Sequence, residues 1–329
     1  MTNNHLKISI ITPSFNQGKY IEECILSVMN QNYPNLEHII IDGGSTDSTL
    51  EIIKRYESNL TFWVSEKDTG QSQAINKGLK IANGEIVTWL NSDDLYLPNT
   101  LNKVNEIFQK NPAISLLHGN SILFGMNKKE RRIEPSTNHL REKYLAYIPF
   151  PQPSSFFKKK ILDKTGFLDE GLHYGMDYDL LVRIALNFEI LQTNEVFSKY
   201  RIHSESKTKK GINFAKDWSI VFSKVLRSVP KSEHLIKALE NINLYNSAID
   251  KYAVTKLPEN IKLSFLYFLN IQMHYYYEAL ELKKASQLAS LIKDLNIDFY
   301  KSEKVKQISS KSNYLNPALI TLLRNFTRK

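Results

Sequence analysis

The chain has 329 residues, 42% of them hydrophobic, which suffices for one large or two smaller globular domains. Its single cysteine, Cys24, excludes an internal disulfide and a thiolate metal cluster, and no apolar run reaches the length of a membrane span. The net charge of +9 is not accompanied by a zinc-finger, RNA-recognition or helix-turn-helix pattern, so we do not expect nucleic acid as a partner.

Four strand–helix pairs follow one another in the first third of the chain. Short apolar and β-branched runs at 7–12, 38–41, 62–65 and 85–90 are typical of buried strands. Each run is followed by a segment whose apolar residues recur at helical spacing. Successive units of this kind predict an α/β fold with a mostly parallel central sheet and helices on both faces.

Acidic or amide side chains follow the end of each of these four strands. They are Asn16, Asp42, Glu66 with Asp68, and Asp93 with Asp94. Because ligands of α/β sheets bind outside the carboxyl ends of the strands, we expect these groups to share one edge. Carboxylates there suit ribose hydroxyls and base N–H groups, and an adjacent pair suits Mg²⁺ or Mn²⁺ bound to phosphates. Taken alone, Asp93 and Asp94 are better explained as a turn with a helix cap.

Three of these strand ends resemble, in order, the motifs of glycosyltransferase family 2. They are the segments 11–16 (ITPSFN), 42–47 (DGGSTD) and 91–94 (NSDD), and 66–78 (EKDTGQSQAINKG) also resembles a segment of a bacterial subgroup. The glycines of 42–47 form neither a dinucleotide fingerprint nor a P-loop. The resemblance covers about residues 6–204, and it implies an inverting enzyme of the GT-A fold that uses a nucleotide-activated sugar.

The resemblance also implies a donor site and a metal site at the strand ends. The expected donor-binding residues are Thr12, Pro13, Ser14, Asn16, Asp42, Gly44, Glu66, Gly70, Gln71, Asn76, Asn91, Asp93 and Arg201. A divalent cation, Mn²⁺ or Mg²⁺, is expected on Asp93 or Asp94, with His203 completing the shell, although a lone histidine is equally well explained as a surface or core residue. The family's D-x-D motif begins with aspartate, whereas this chain has Asn91, whose amide still suits a ribose hydroxyl.

The catalytic base is expected later in the chain. Residues 175–183 (GMDYDLLVR) predict a helix with Asp177 in its first turn, and they resemble the family's Glu-Asp motif with Met176 in place of the acid. An inverting transfer needs one carboxylate to accept the proton of the acceptor hydroxyl. On spacing alone Asp177 is better explained as an acid favoured by the helix dipole, and Asp179 is its nearest competitor. Gln152 and Met176 are expected to face the acceptor.

The last third of the chain has a different character. Helical spacing marks the stretches 213–228, 232–253, 261–282 and 285–295. We therefore expect a GT-A catalytic domain at 1–210 and a helical C-terminal segment at 211–329. That segment is compatible with packing on the catalytic domain, with dimer formation and with membrane contact, and neither this choice nor the oligomeric state follows from the sequence.

The expected reaction is a metal-assisted, inverting transfer of a sugar from a nucleotide-diphosphate donor, a UDP-sugar first, to a hydroxyl of a glycan or lipid-linked acceptor. By resemblance, the setting is surface-polysaccharide assembly in a bacterial cytoplasm, with the protein either free or held at the inner face of the cell membrane. A catalytically silent nucleotide-sugar or glycan-binding module also fits Asn91 and Met176. A sugar-1-phosphate nucleotidyltransferase has a related sheet but needs a Gly-rich, basic first loop, which 13–16 does not provide.

Overall fold

The computed structural model of the chain divides into two compact units. It describes residues 5–125, 129–134, 137–207, 211–247, 250–302, 304–314 and 317–321. Unit 1 comprises Met1–Thr137 with Ile148–Ser206, and unit 2 comprises Asn138–Tyr147 with Lys207–Lys329. The predicted boundary at residue 210 lies outside the described residues, and the short segment Asn138–Tyr147 was not expected to belong with the C-terminal helices.

Within the described residues, unit 1 is built on one nine-stranded sheet. Its strands β1–β9 are Ile8–Ser14, Leu36–Asp42, Phe62–Ser65, Ile86–Trp89, Leu95–Tyr96, Leu116–Phe124, Arg131–Ile133, Ser155–Lys158 and Ile190–Arg201. The strand order is β3-β2-β1-β4-β8-β6-β9-β5, and β7 pairs with β6. The block β3-β2-β1-β4 is parallel, whereas β8 runs antiparallel to both β4 and β6. The four predicted parallel strands are thus confirmed, and the second half of the sheet is mixed.

Helices flank the sheet of unit 1 and make up most of unit 2. In chain order, α1–α13 are Ile21–Met29, Thr49–Arg55, Gln71–Ile81, Thr100–Lys110, Leu140–Ala146, Leu162–Thr165, Met176–Ala185, Gly211–Ser228, Glu233–Asn241, Ile261–Glu278, Leu282–Leu295, Ile297–Ser302 and Val305–Tyr314. Short 3₁₀ turns occupy Glu57–Asn59, Gln152–Ser154 and Lys159–Ile161. Helix α5 and helices α8–α13 belong to unit 2.

Strand β1 is buried along its whole length because helices cover both faces of the sheet. On one face, Ile8 and Ile10 pack in a core cluster with Cys24 and Val28 of α1. On the other face, α3 approaches so closely that a Cβ at Gly78 would lie 2.5 Å from the side chain of Ile11. Cys24 is a free, buried thiol, as the sequence predicted, and burial raises its pKa.

Unit 2 is helical throughout its described secondary structure. Phe222 of α8 and Phe268 of α10 stack with their ring centroids 4.1 Å apart. The predicted helix 232–253 is too long, because α9 ends at Asn241 and Asn243 adopts a left-handed conformation (φ 52°), with the Leu244 N–H returning to the Leu239 carbonyl. The helices of the described residues include none with the length and hydropathy of a membrane span.

Candidate active site

The segments that follow β1–β4 meet at one edge of the sheet, which we call the strand-end edge. Asn16 has a positive φ of 52°; its N–H donates to Ser45 Oγ at 2.7 Å, and its Oδ1 accepts from the Thr46 N–H at 2.9 Å. The Gly43 N–H donates to the Ser14 carbonyl at 2.8 Å. The loops after β1 and β2 are therefore fastened to each other, as expected for the carboxyl ends of adjacent parallel strands.

Asp42 is enclosed by its own turn. Its Oδ2 accepts hydrogen bonds from the N–H groups of Gly44 (3.0 Å) and Ser45 (2.8 Å) and from Ser65 Oγ (2.7 Å), and its Oδ1 accepts from Ser45 Oγ (2.5 Å). Gly44 has a φ of +85°, which glycine adopts without steric cost. With 0% of Asp42 exposed, its carboxylate shapes this turn, and a direct contact with a donor stays a prediction.

Thr12, Pro13 and Ser14 are buried at the end of β1. Thr12 Oγ1 lies 3.0 Å from Nε2 of His38, whose imidazole is buried, and burial lowers the pKa of His38 from 6.5 to about 4. The His38 ring is therefore neutral near pH 7. Ser14 Oγ is buried without a hydrogen-bond partner among the described residues, so of these three predicted donor contacts it is the one with an unused polar atom.

The segment after β3 reaches the strand-end edge through α3. Gly70, at the start of α3, has a φ of +139°, and the next residue, Gln71, donates from Nε2 to Asn91 Oδ1 at 2.7 Å. Glu66 is half exposed and pairs with Lys77 Nζ at 2.8 Å. Gln71 and Asn91, both predicted donor contacts, are thus brought together, while Glu66, in the segment before α3, pairs with Lys77 of that helix.

Asn76 is buried and faces the segment that leads to α7. Its Nδ2 donates to the Leu168 carbonyl at 3.0 Å, and its Oδ1 accepts from the Leu168 N–H at 3.0 Å. The same Nδ2 lies 2.9 Å from Glu170 Oε1. Both ends of this amide therefore hold the 168–170 segment, and a donor contact by Asn76 stays a prediction.

The adjacent carboxylates Asp93 and Asp94 have different surroundings. Asp94 is fully buried; its Oδ1 accepts from the Arg201 N–H at 2.9 Å, and Asn91 Nδ2 lies 3.4 Å from its Oδ2. Burial, together with the neighbouring Asp93 carboxylate, raises the pKa of Asp94. Asp93 keeps 23% of its side chain exposed, and its Oδ2 lies 2.9 Å from His203 Nε2. Asp94 thus joins the ends of β4 and β9, and Asp93 faces outward.

Arg201, at the end of β9, reaches back to the same turn. Its Nε donates to the Asp93 carbonyl at 2.9 Å, and its guanidinium pairs with Glu23 at 2.9 Å. The guanidinium carbon lies 4.4 Å from the ring centroid of Phe124 and 5.0 Å from that of Tyr20. The sequence prediction missed Tyr20 and Glu23. Both residues contact Arg201 at the end of β9, and no local sequence pattern indicates that this strand end lies beside α1.

A divalent cation at the strand-end edge would have few protein ligands. Among the residues that the structure describes, no group of three or more His, Cys, Asp or Glu side chains is placed to hold a metal ion. Asp93 Oδ2 and His203 Nε2 are 2.9 Å apart, close to the roughly 3 Å between neighbouring ligands of an octahedral shell with bonds of about 2.1 Å. Such cations take one or two protein ligands when phosphates fill the other positions, so this pair fits a cation carried by a diphosphate.

A second feature of unit 1 is a mainly apolar cleft, which we call the Asp177 cleft. Asp177, Gln152, Ser155 and Trp89 line it together with Leu116, Ile148, Phe150, Phe157, Leu180, Leu181 and Ile184. Gln152 Nε2 donates to the Trp89 carbonyl at 3.0 Å, while its Oε1 is buried without a partner among the described residues. The cleft thus joins the predicted base to a predicted acceptor contact. Asp42 and Asp93 do not line it.

Two neighbours of Asp177 in α7 face elsewhere. Met176 is buried, and its Sδ is contacted by Ser72 Oγ of α3, so it does not line the cleft. Asp179 is buried and pairs with Arg183 at 2.6 Å, and Arg183 also donates to the carbonyl of Phe167. Of the two candidate bases, Asp177 alone lines the cleft, whereas Asp179 serves the packing of α7.

Sequence comparison identifies the relatives of this chain. The profile Glycosyl transferase family 2 matches residues 9–167. An uncharacterized glycosyltransferase of Rickettsia typhi is 28% identical over 242 residues, which is 70% of this chain and 74% of the relative. An uncharacterized glycosyltransferase of Mycobacterium tuberculosis is 30% identical over 184 residues, which is 54% of this chain and 69% of the relative.

Solved structures show the same fold. TarS of S. aureus in complex with UDP-GlcNAc superposes with a TM-score of 0.60 at 17% identity, over 94% of this chain and 93% of TarS. The mannosyltransferase PcManGT of Pyrobaculum calidifontis, in complex with GDP-Man and Mn²⁺, has a TM-score of 0.56 at 18% identity, over 95% of this chain and 88% of that one. These likenesses confirm the predicted GT-A type of α/β fold.

Fold and relatives together define a glycosyltransferase with a nucleotide-sugar type of α/β domain and a helical C-terminal part. The chain belongs to glycosyltransferase family 2. This membership confirms the resemblance of the strand-end motifs, and it does not favour the alternatives of a silent binding module or a nucleotidyltransferase.

Proposed function

We propose that this enzyme transfers a sugar, with inversion, from a nucleoside-diphosphate sugar to a hydroxyl of a glycan or lipid-linked acceptor. A UDP-sugar is the donor to test first, since TarS binds UDP-GlcNAc, and GDP-sugars come second because PcManGT binds GDP-Man. Surface-polysaccharide assembly on the cytoplasmic side of a bacterial membrane remains the proposed setting. The catalytic part is proposed to extend to residue 210, with the helices of 211–329 as an accessory segment.

One observation carries this proposal: strand β4 links the Asp177 cleft to the Asp93–His203 pair. Trp89, its last residue, lines the cleft with Asp177 and Gln152, and the turn that follows places Asp93 against His203. An inverting transfer needs a base on the acceptor side and charge stabilisation on the leaving-group side of one reacting centre. A single strand end that serves both requirements supports this reaction.

Asp177 is proposed to accept the proton of the acceptor hydroxyl while that oxygen attacks the anomeric carbon of the donor. Gln152 Oε1, which lacks a protein partner in the described residues, accepts a hydrogen bond from an acceptor hydroxyl and orients it. Asp93 and His203 would hold Mn²⁺ or Mg²⁺, which when bound offsets the charge of the departing diphosphate. Asp94 and Asn91 act through the turn that they hold, which makes Asp93 the better-placed of the two predicted carboxylate ligands.

The remaining predicted donor contacts fall into three proposed groups. Ser14, Gly44, Gly70 and Gln71 border the strand-end edge and are proposed to meet the donor nucleotide, with Arg201 beside its diphosphate. Asn16, Asp42 and Asn76 are proposed to act by holding loops, because their polar groups already bond protein partners. Thr12, Pro13 and Glu66 are proposed to lie farther from the donor than the first group. Met176 is proposed to pack against α3 rather than to touch the acceptor.

The test is release of nucleoside diphosphate from a panel of UDP- and GDP-sugars with Mn²⁺ and glycan or lipid-linked acceptors. We expect Asp177→Asn to lower turnover by about 10²–10⁴-fold, the usual worth of a positioned base, while donor binding, followed as a rise in melting temperature, persists. Asp179→Asn is the matched control in the same helical turn; it should lower thermal stability and leave the turnover of the folded fraction nearly unchanged. Full turnover in Asp177→Asn would contradict the assignment of the base.

A further inference from the structure

The ring of Tyr20, which precedes α1, contacts both residues that β9 brings to the strand-end edge. Its centroid lies 4.8 Å from that of the His203 imidazole, with the two planes tilted by 38°. The same ring lies 5.0 Å from the guanidinium carbon of Arg201, whose Nε holds the Asp93 carbonyl. One aromatic side chain therefore packs against His203 and against the group that fixes the backbone of Asp93.

The contact with Tyr20 matters for His203 because the second ring nitrogen has no orienting partner among the described residues. A histidine that binds a metal usually donates its second ring N–H to a carboxylate, a carbonyl or water, which fixes the ring plane. Here Nε2 faces Asp93, while Nδ1 is buried and has no hydrogen-bond partner among the residues that the structure describes. The hydrogen bond from Nε2 to Asp93 would give way to a cation bound at the same nitrogen, and the aromatic contact with Tyr20 would then orient the ring in place of a hydrogen bond at Nδ1.

Hydrogen bonds hold the turn that carries Tyr20. The Gln17 N–H donates to Thr49 Oγ1 at 2.8 Å, and the Gly18 N–H donates to Asp47 Oδ2 at 3.0 Å. The Tyr20 N–H then closes the turn on the Gln17 carbonyl at 2.9 Å. Because these bonds tie the turn to the start of α2, the ring is presented to His203 from a fixed backbone.

We propose that Tyr20 is a positioning residue that orients His203 for divalent-cation binding, through the face of its ring. The proposal rests on the proposed function, in which His203 and Asp93 hold the cation of the donor diphosphate. The ring takes the place of the orienting hydrogen bond that Nδ1 lacks, and it keeps Arg201 on the Asp93 carbonyl. Its hydroxyl has no part in this role, so phenylalanine should replace tyrosine without loss.

The test measures Mn²⁺ affinity of the full chain with UDP and, in parallel, with GDP, from the electron paramagnetic resonance signal of free Mn²⁺. Tyr20→Leu and Tyr20→Gln should weaken Mn²⁺ binding by about 10-fold or more, the usual cost of losing an orienting partner of a metal ligand. Tyr20→Phe should stay within about two-fold of the unaltered chain, since the ring face is retained. Tyr20 is only half-buried, so both polar and aliphatic replacements leave a fold in which affinity can be measured.

Tyr56→Leu is the matched control, because the Tyr56 hydroxyl donates at 2.7 Å to Glu22 of α1, the helix that Tyr20 precedes, and among the described residues Tyr56 has no ring contact with His203. It should lower stability and leave Mn²⁺ affinity unchanged. Two results would overturn the role of Tyr20 while leaving the metal site in place: unaltered Mn²⁺ affinity in Tyr20→Leu alongside a loss in His203→Ala, or an equal loss in Tyr20→Phe and Tyr20→Leu. Unaltered affinity in His203→Ala would instead remove the proposed metal site, and the role of Tyr20 with it.

Discussion

The strand-end edge and the Asp177 cleft use carboxylates in opposite ways. At the edge, Asp42 and Asp94 are 0% exposed and accept hydrogen bonds from backbone N–H groups. In the cleft, Asp177 is partly exposed among mainly apolar walls that also include Gln152, and Asp177 Oδ1 accepts a hydrogen bond from the N–H of the adjacent Tyr178 at 2.9 Å. The first arrangement uses buried carboxylates to hold loops, whereas the second leaves a carboxylate partly exposed in the wall of a cleft.

This difference separates supporting carboxylates from reactive ones better than their positions in the sequence do. Asp93 is the exception at the edge, since it is partly exposed and shares its Oδ2 with His203 rather than with the backbone. By the same criterion Asp179, buried against Arg183, falls with the supporting group. Full burial therefore identifies the supporting carboxylates, and the partly exposed Asp93 and Asp177 are the candidates for chemistry.

The strongest test of this distinction is to remove the carboxylates of Asp93 and Asp94 one at a time. Asp93→Ala should weaken Mn²⁺-dependent donor binding by roughly 100-fold, about 2.7 kcal/mol, with little change in the free energy of unfolding. Asp94→Ala should lower the free energy of unfolding by about 1–3 kcal/mol, because the Arg201 N–H loses its buried acceptor. Donor titrations with and without Mn²⁺, beside urea unfolding, separate the two effects.

Asp93→Asn and Asp94→Asn are the matched controls, since they keep side-chain size and one acceptor oxygen. If Asp94→Ala loses Mn²⁺ dependence at unchanged stability while Asp93→Ala keeps it, the assignments of ligand and support are reversed. Equal losses in both variants would mean that burial does not distinguish the two residues.

A second test uses the buried histidines behind each region. Burial lowers the pKa of His38, beside Thr12, to about 4 and that of His118, which stacks on Phe150 behind the cleft, to about 3. An unfolded chain binds protons on these histidines near pH 6.5, whereas the folded chain does so only at lower pH. The contribution of these two histidines to the free energy of unfolding is therefore fully present above pH 6.5 and is lost as the pH falls toward 4.

For His38 alone, the expected loss is about 2 kcal/mol of unfolding free energy between pH 7 and pH 4.5. Urea unfolding at these two pH values should show a smaller difference in His38→Asn than in the unaltered chain, and His118→Asn should behave likewise. The exposed His139→Asn is the control and should follow the unaltered chain. An unchanged pH dependence in His38→Asn would show that this histidine does not contribute to acid sensitivity.

The parallel half of the sheet was predictable because its signal is local. β-branched runs alternate with helical spacing, and the acidic or amide residues that end each strand then must meet at one edge. The same reasoning placed Asp177 in the first turn of α7, which the structure confirms. Strands β6 and β9 escaped prediction, because their pairing partners are distant in the chain and most of β9 is only partly buried.

The roles within the site were less accessible from the sequence, since they depend on burial. Nothing in the segment 91–94 distinguishes Asp93 from Asp94 until β9 supplies the Arg201 N–H. The structure, but not the sequence, explains why asparagine rather than aspartate occupies position 91. The Asn91 amide lies between Gln71 and the buried Asp94. An aspartate there would place a second charge against a buried carboxylate, which is costly.

The prediction with the smallest expected effect concerns the contact between Gln152 and the acceptor. Gln152→Ala removes the amide oxygen that we propose for an acceptor hydroxyl, and it also removes the donor to the Trp89 carbonyl. The KM for the acceptor should rise by about 10-fold, worth about 1.4 kcal/mol, while the KM for the donor stays nearly unchanged. Initial rates with one substrate varied at saturation of the other measure both constants.

Gln17→Ala is the matched control, because Gln17 Oε1 is also buried without a partner among the described residues but belongs to the strand-end edge. If the two regions serve different substrates, Gln17→Ala leaves the acceptor KM unchanged and Gln152→Ala raises it. A rise of the donor KM in Gln152→Ala, with no change for the acceptor, would place the donor sugar in the Asp177 cleft. In that case Asp177 would lie on the donor side, and a base for the acceptor hydroxyl would have to be sought elsewhere.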